Sequence, residues 1–283
     1  LYSDIALALK KRNTPKHIVN WYDSFLRNRR ANISFNEVSS CFKLKLGCAQ
    51  GGILSPIIWN ITFESFIDLF KTGPVKAHIY ADDACLCISG PDLSAQVVMM
   101  QSALDKCHNW GTKHGLIFVP EKTAAIFFHN KRKIEIPKKL TMNGIEINYS
   151  SVIKYLGIWL DQRLTWSYHI NERIKKARGL FIKVRNAVGS YWGPSPRALK
   201  WAINGIISPM VTYGSIVFSR ISQLKSVRDK FRKLHRFMIS AMMPFRRSTP
   251  TRGLEMILNM SPLHLKIRET ALCSTIRVLK NTK

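Results

Sequence analysis

Over residues 2–30 the apolar positions recur at helical spacing. The stretch DIALALKKR carries Ile5, Leu7 and Leu9 behind Ser3 as a candidate cap. A second helix is predicted through HIVNWYDSFLRNR, with Pro15 in its first turn and Ile18, Val19, Trp21, Tyr22 and Phe25 spaced for burial. Residues 31–46 switch to alternation and predict two strands around a polar turn. The Gly-rich turn CAQGG follows. It leads into a helix from Ser55, with Pro56 at its first position and Ile57, Trp59, Ile61, Phe63, Phe66 and Leu69 as its apolar positions. VKAHIY and ACLCIS predict short strands, and a long helix follows them and ends near Gly115. KTAAIFFHN, IEIP, TMNGIEI around an Asn143-Gly144 turn, and Tyr155 to Leu160 (YLGIWL) predict further strands. After Trp166 the pattern is helical and interrupted by prolines, so a boundary near residue 165 separates a mixed α/β part from a mostly helical one. No internal repeat or low-complexity tract is present.

Composition sharpens this picture. With 46% hydrophobic and 22% charged residues the chain is globular. Its formal net charge of +27 favours polyanionic partners, nucleic acid first and anionic membrane second. Between Ser167 and Lys283 there are 23 Lys and Arg against 4 Asp and Glu, so +19 of the charge lies in the helical part. No apolar run approaches the ~20 residues needed to span a bilayer. No secretory leader is expected, and LYSDIALALKKRN reads as the interior of a longer protein. The six cysteines form no C-x-x-C pair and have no zinc-site spacing, which predicts reduced thiols in an intracellular compartment.

Against that basic background, Tyr80-Ala81-Asp82-Asp83 places two adjacent carboxylates between two short strands. Asp is common in turns, and an isolated pair would read as a polar bend. Two aspartates at a bend can also converge on one divalent cation, because the turn relaxes the strict alternation of strand side chains. Carboxylate oxygens suit Mg²⁺, and two ions ~3.5–4 Å apart can stabilise both the attacking and leaving oxygens of a phosphoryl transfer.

The neighbours of this pair carry a resemblance. Tyr80-Ala81-Asp82-Asp83 between apolar strands resembles the active-site hairpin of reverse transcriptases. Upstream, Ala49-Gln50-Gly51-Gly52-Ile53-Leu54-Ser55-Pro56 resembles their Gln-Gly turn and the helix after it. Downstream, GLIFVPEKT resembles the loop that carries a lysine near the incoming triphosphate. YLGIWLD with the following Leu164-Thr165-Trp166 and His169-Ile170 resembles the primer grip and the start of the thumb. The order and spacing are similar to the non-LTR retrotransposon group of the jockey and R1 type, and a weaker likeness continues through TRGLEMILNMSPLHLKI.

The resemblance implies an α+β fold: a right-hand polymerase palm, an antiparallel sheet with helices on one face, followed by a mostly α-helical thumb and a C-terminal extension, with the fingers largely missing. The expected divisions are 1–165, 166–245 and 246–283. It implies RNA-directed DNA synthesis with Mg²⁺ or Mn²⁺ held by Asp82 and Asp83. Lys122 would neutralise or protonate the leaving pyrophosphate. Tyr80, Gln50, Gly51 and Gly52 would face the nucleotide or template, Gln50 offering both a donor and an acceptor and the glycines allowing close backbone approach. Lys154, Tyr155, Leu156 and Gly157 would hold the primer end. The partners implied are an RNA template, a DNA primer and deoxynucleoside triphosphates, with no membrane, in the nucleus and in a cytoplasmic ribonucleoprotein.

A palm polymerase also uses a carboxylate from a separate strand, which in the family precedes the helix that LYSDIALALKKRN resembles. Asp4 reads as a helix-dipole partner rather than that ligand. The expectation is therefore a piece truncated before its first catalytic Asp and inactive alone. The alternative is a non-catalytic nucleic-acid-binding remnant, and a membrane-surface protein attracted by charge is the weakest of the three.

The charge asymmetry alone generates a prediction. The chain should bind RNA–DNA or RNA duplex with little sequence preference, and its affinity should fall steeply between low and moderate salt as phosphate neutralisation releases counterions. Filter binding across a salt series measures this, and a flat response would mean that the basic helices are not the binding surface.

Overall fold

The computed structural model describes residues 2–44, 47–49, 51–131, 138–187, 193–243, 245–246 and 248–281. They form two compact units, one from Leu1–Ala125 and Lys131–Ser150, the other from Ile126–Asn130 and Ser151–Lys283.

In the first unit, α1 (Tyr2–Lys11) and α2 (Lys16–Arg27) are followed by an antiparallel ribbon of β1 (Arg30–Phe35) and β2 (Val38–Lys43), and then by α3 (Ser55–Asp68). Ser3 lies inside α1 rather than capping it, because the helix already includes Tyr2. α2 is apolar on two neighbouring stripes, and only one can face α1 and α3. Val19, Tyr22 and Leu26 are buried there with Ile5, Leu9, Ile58 and Ile61. The predicted core positions Ile18, Trp21 and Phe25 are exposed instead, with Trp21 and Phe25 stacked at 6.0 Å. In α3 likewise Ile58, Ile61, Phe63 and Phe66 are buried, while Ile57 and Leu69 are exposed.

β3 (Lys76–Tyr80) and β4 (Asp83–Cys87) form a second ribbon. α4 (Leu93–His114) follows. The Asp92 carboxylate accepts from the Ser94 amide at 2.9 Å at its start, and Gly115 ends it at φ 67°. Phe63, Phe66 and Phe70 pack with Ala103, Cys107 and Trp110 into a core that also takes Ala77, Ile79 and Leu86. One face of the β3–β4 ribbon therefore rests on α3 and α4. A third ribbon, β5 (Leu140–Met142) and β6 (Ile145–Ile147), turns through Asn143 and Gly144 at φ 53° and 76°, as the Asn-Gly pair predicts. Gln101 ties it to α4, its amide donating to the Thr141 carbonyl and its carbonyl accepting from the Thr141 amide.

The segment KTAAIFFHN does not form a strand. Its only strand-like pairing among the described residues is a bridge from Ala125 to Tyr149. IEIP lies outside the described residues. YLGIWL is not one strand but parts of two, β7 (Val152–Tyr155) and β8 (Ile158–Asp161), because Leu156 and Gly157 both take positive φ and reverse the chain. Among the described residues the strands thus make four two-stranded ribbons rather than one sheet. Each ribbon is closed by a two-residue turn that fixes its pairing locally, and the extended segment that could join them makes a single bridge.

The second unit continues from β7 and β8 into helices α5 (Ser167–Asn186), α6 (Pro196–Ala202), α7 (Ser208–Thr212), α8 (Ser215–Ser222), α9 (Lys225–Ser240), α10 (Thr251–Ile257) and α11 (Leu263–Asn281). Phe181, Ile203, Ile207, Val211, Phe218 and Phe231 are among its buried centre. Between α6 and α7 the chain widens into a π turn over Ile203–Ile207. Pro209 explains this, since it donates no backbone hydrogen bond and its ring crowds the carbonyl four residues back. On α9 the basic residues alternate with a buried face of Val227, Phe231, Leu234 and Met238, and Lys230 Nζ reaches Asn171 Oδ1 on α5 at 2.8 Å. Among the described residues no single helix is long and apolar enough to cross a membrane.

Two histidines are buried in this unit. His169 Nδ1 accepts from the Trp159 amide at 3.2 Å, and its Nε2 has no partner. Burial, with Arg173 nearby, depresses its pKa to about 4. His235 is likewise depressed to about 4 by burial and by Lys266 and His264. Glu255 Oε1 lies 3.5 Å from His235 Nε2, but burial keeps that imidazole neutral near pH 7, so the contact is not an ion pair there. The unfolded chain binds these protons near pH 6.5, whereas the folded chain resists them down to about pH 4. Stability should therefore be complete above about pH 6.5 and fall as pH drops towards 4, by up to about 1.4 kcal/mol per pH unit for each histidine. Denaturant unfolding across that range measures it. His235→Leu should flatten part of the slope, and an unchanged slope would assign the titration to other groups.

Candidate active site

Register fixes the geometry of the acidic turn. Tyr80 pairs with Asp83, leaving Ala81 and Asp82 as a two-residue turn. Directly opposed residues of a ribbon share a face, so Tyr80 and Asp83 lie together with His78 and Cys85. Ala77, Ile79 and Leu86 take the opposite face, on the core. Tyr80 is 65% exposed, so its ring forms a flat surface beside the carboxylates rather than a core aromatic.

Ala81 stands at φ 53°, a left-handed conformation that costs a non-glycine residue about 1–3 kcal/mol. The turn is braced from α3, where Trp59 Nε1 donates to the Ala81 carbonyl at 2.7 Å. Trp59 is itself packed on Phe63 with ring centres 4.7 Å apart. The sequence pattern reads Trp59 as a core position. The signal that it does more is the indole N–H, which seeks an acceptor when half-buried.

The surroundings of the pair differ from those of the ion-paired acids. Four acids are paired with Lys or Arg: Asp23 with Arg27, Glu64 with Arg12, Asp68 with Lys71 and Glu146 with Lys139. The Asp161 carboxylate accepts from the amides of Arg163, Thr165 and Trp166 and so shapes the turn before α5. Asp4, in the first turn of α1, has its Oδ2 4.0 Å from His114 Nε2. Asp82 and Asp83 are exposed, and among the described residues neither makes a salt bridge or a side-chain hydrogen bond. Four carboxylate oxygens at one tight turn are thus open to a hard cation, which is the donor chemistry that Mg²⁺ or Mn²⁺ takes. Among the described residues no group of three or more His, Cys, Asp or Glu could hold a metal ion.

The other expected residues fall as follows. Gln50 lies outside the described residues. Gly51 adopts φ 81°, and the loop is fixed by the Gly52 amide on the Ala49 carbonyl at 3.2 Å and by the Ser55 hydroxyl on the same carbonyl. A side chain at Gly52 would collide with Ser55 Oγ, 2.8 Å from its Cβ position. Lys122 is exposed on the short 3₁₀ turn Pro120–Lys122, with no salt bridge among the described residues. Lys154, Tyr155, Leu156 and Gly157 belong to the second unit, at the β7–β8 turn, where Lys154 Nζ lies 5.6 Å from the centre of the Trp159 ring.

Comparison with known proteins bears on this arrangement. The family described as "Reverse transcriptase (RNA-dependent DNA polymerase)" matches residues 3–160. The "Retrovirus-related Pol polyprotein from type-1 retrotransposable element R1" of Nasonia vitripennis is 24% identical over 226 residues, covering 78% of this chain and 66% of that protein. The protein of the same name from Bradysia coprophila is 23% identical over 231 residues, covering 82% of this chain and 23% of that protein. The "RNA-directed DNA polymerase from mobile element jockey" of Drosophila melanogaster is 26% identical over 240 residues, covering 77% of this chain and 25% of that protein. The chain thus spans between about a quarter and about two thirds of these curated relatives. No solved structure matches it.

The brace on the turn is testable in the chain by itself. Trp59→Phe keeps the ring on Phe63 but removes the hydrogen bond to Ala81, and should lower unfolding free energy by about 0.5–1.5 kcal/mol in a urea titration. It should also speed amide exchange in residues 80–84. Exchange there at the wild-type rate would show that the indole does not hold the turn.

Proposed function

The chain belongs to the reverse transcriptase family, and we propose that it forms the polymerase core of a non-LTR retrotransposon protein that copies an RNA template into DNA from a DNA primer. The observation that carries this reading is the Asp82–Asp83 turn: two exposed carboxylates with no cationic partner in a chain of net charge +27. No lysine or arginine among the described residues occupies these carboxylates, so a divalent cation meets no competing cation at the turn.

In this reading residues 1–165 are palm with a remnant of the fingers, 166–245 a helical thumb, and 246–283 a C-terminal extension. Asp82 and Asp83 would hold Mg²⁺ or Mn²⁺, whose coordination is completed by phosphate oxygens of the incoming nucleotide, as is usual where protein supplies only one or two carboxylates. When bound, the cation supplies charge neutralisation at the transferred phosphoryl group. The chain's own residues orient the reactants. Tyr80 would lay its ring against the sugar beside the carboxylates. Gly51 and Gly52 would let the backbone approach a nucleotide closely, with Gln50 supplying a donor and an acceptor. Lys122 would stabilise, or donate a proton to, the departing pyrophosphate. Lys154 to Gly157 would hold the primer end, and the basic faces of α5 and α9 would follow the duplex phosphates.

Primer extension on an RNA template, by the natural protein that carries this chain, tests the reading. Asp82→Asn removes a metal-binding charge and keeps the shape. It should lower synthesis by about 10²-fold or more while leaving duplex affinity within about twofold. Undiminished synthesis by Asp82→Asn would mean the metal site is elsewhere, and duplex binding without any synthesis by the wild type would favour a binding remnant.

A further inference from the structure

We infer that Cys85 and Cys87 are an oxidisable thiol pair, which a peroxide converts to a disulfide, and that this bond reversibly disables the acidic turn that precedes it on β4. The loss of DNA synthesis rests on the function proposed above. The thiol chemistry stands on the ribbon alone.

Side chains two apart on a strand share a face, so Cys85 and Cys87 project together from the face of the β3–β4 ribbon that turns away from the core. Their sulfurs lie 3.6 Å apart. Among the described residues no other two cysteines meet in this way. Cys85 is half-buried and Cys87 is exposed, so a small oxidant reaches the pair from solvent. On a strand the Cα atoms of such residues are ~6.6 Å apart, inside the span that a disulfide bridges. Across the ribbon, Lys76 pairs with Cys87 and His78 with Cys85. A cation beside a thiol favours the thiolate, which is the form that attacks an oxidant. The hydrogen bond from Cys85, with His78 nearby, lowers the Cys87 pKa to about 6.

The chemistry takes two steps. The Cys87 thiolate attacks a peroxide oxygen, the O–O bond breaks, and the departing oxygen takes a proton to become water or an alcohol. The Cys85 sulfur then attacks the sulfenic acid at Cys87, the S–O bond breaks, and water leaves as the S–S bond forms. The two sulfurs give up two electrons and the peroxide takes them. Exchange with an external thiol returns an exposed disulfide of this kind to the dithiol.

Leu86 lies between the two cysteines and packs in the core with Ala77 and Ile79. Drawing the sulfurs together therefore bends β4 about a fixed point. Among the described residues β3 is the only strand beside β4, so no second strand resists the bend. His78–Cys85 and Tyr80–Asp83 are rungs of the same short ladder, and the bend reaches the carboxylates through that pairing.

The test treats the natural protein that carries this chain with hydrogen peroxide, then maps its tryptic peptides. Residues 77–106, between Lys76 and Lys106, hold both thiols and no other cysteine. This peptide should lose the mass of two hydrogens, at least about tenfold faster than Cys273, an exposed lone thiol, is consumed. Amide exchange across residues 78–86 should speed up on oxidation, while exchange in α9 stays unchanged. Synthesis should fall about tenfold or more and return with dithiothreitol. Cys85→Ser and Cys87→Ser should keep synthesis within about twofold of the reduced wild type and resist the peroxide. A peptide that keeps both thiols while Cys273 is consumed overturns the pair. A disulfide that leaves exchange in residues 78–86 unchanged, or equal inactivation of wild type and both variants, overturns the switch. Absence of synthesis by the reduced wild type would sink the proposed function instead, and mass and exchange would still decide the thiol pair.

Discussion

A hydrogen bond from a side-chain donor to the carbonyl of a strained turn is the interaction on which the organisation of the chain depends. A two-residue hairpin turn with a non-glycine residue at positive φ is unfavourable by itself, and Ala81 and Leu156 both occupy that state. Each is held by a donor that arrives from distant sequence, Trp59 for Ala81 and Tyr213 for Leu156. Trp59 is carried by α3, and Tyr213 by the short link between α7 and α8, whose helices pack through apolar cores. Burial of Phe63 and Phe66 on α3 thus helps hold the turn that carries Asp82 and Asp83, through Trp59.

Charge is distributed by the same economy. A chain with 44 basic residues and 17 acidic ones has cations to spare for each acid. Several acids are used locally, on caps and short-range ion pairs worth little individually because they are exposed. Asp161 shows the constructive use, its carboxylate gathering three backbone amides to start α5. Asp82 and Asp83 are left uncompensated at a rigid tip, and a pair left in that condition is chemically available. The basic excess is concentrated in the second unit, outside a core of Phe181, Ile203, Ile207 and Phe231. This allows a strongly charged surface without burying unpaired charge.

The elements with local punctuation were legible from the sequence. Gly115 ends α4, Pro56 opens α3, and Asn143-Gly144 closes a type I′ hairpin, because caps and turn residues act within a few positions of themselves. Where two answers were locally equal, the sequence failed. α2 carries two apolar stripes, and the choice of Val19, Tyr22 and Leu26 over Ile18, Trp21 and Phe25 was made by α1 and α3. YLGIWL alternates well enough for one strand, yet the glycine at its centre marks the reversal that β7 and β8 make.

The composition, the strand-Asp-Asp-strand pattern and the order of motifs were enough to assign the family and to nominate Asp82 and Asp83, because those signals are short in range and chemical in kind. The sequence could not say that the pair is unpaired, that Trp59 holds the turn beneath it, or that Arg173 and Tyr213 hold the turn at Leu156. Each of those contacts joins residues 16 or more positions apart. Only the packing of helices against ribbons brings such residues within hydrogen-bonding distance, and packing is a property of the folded chain rather than of any window along it.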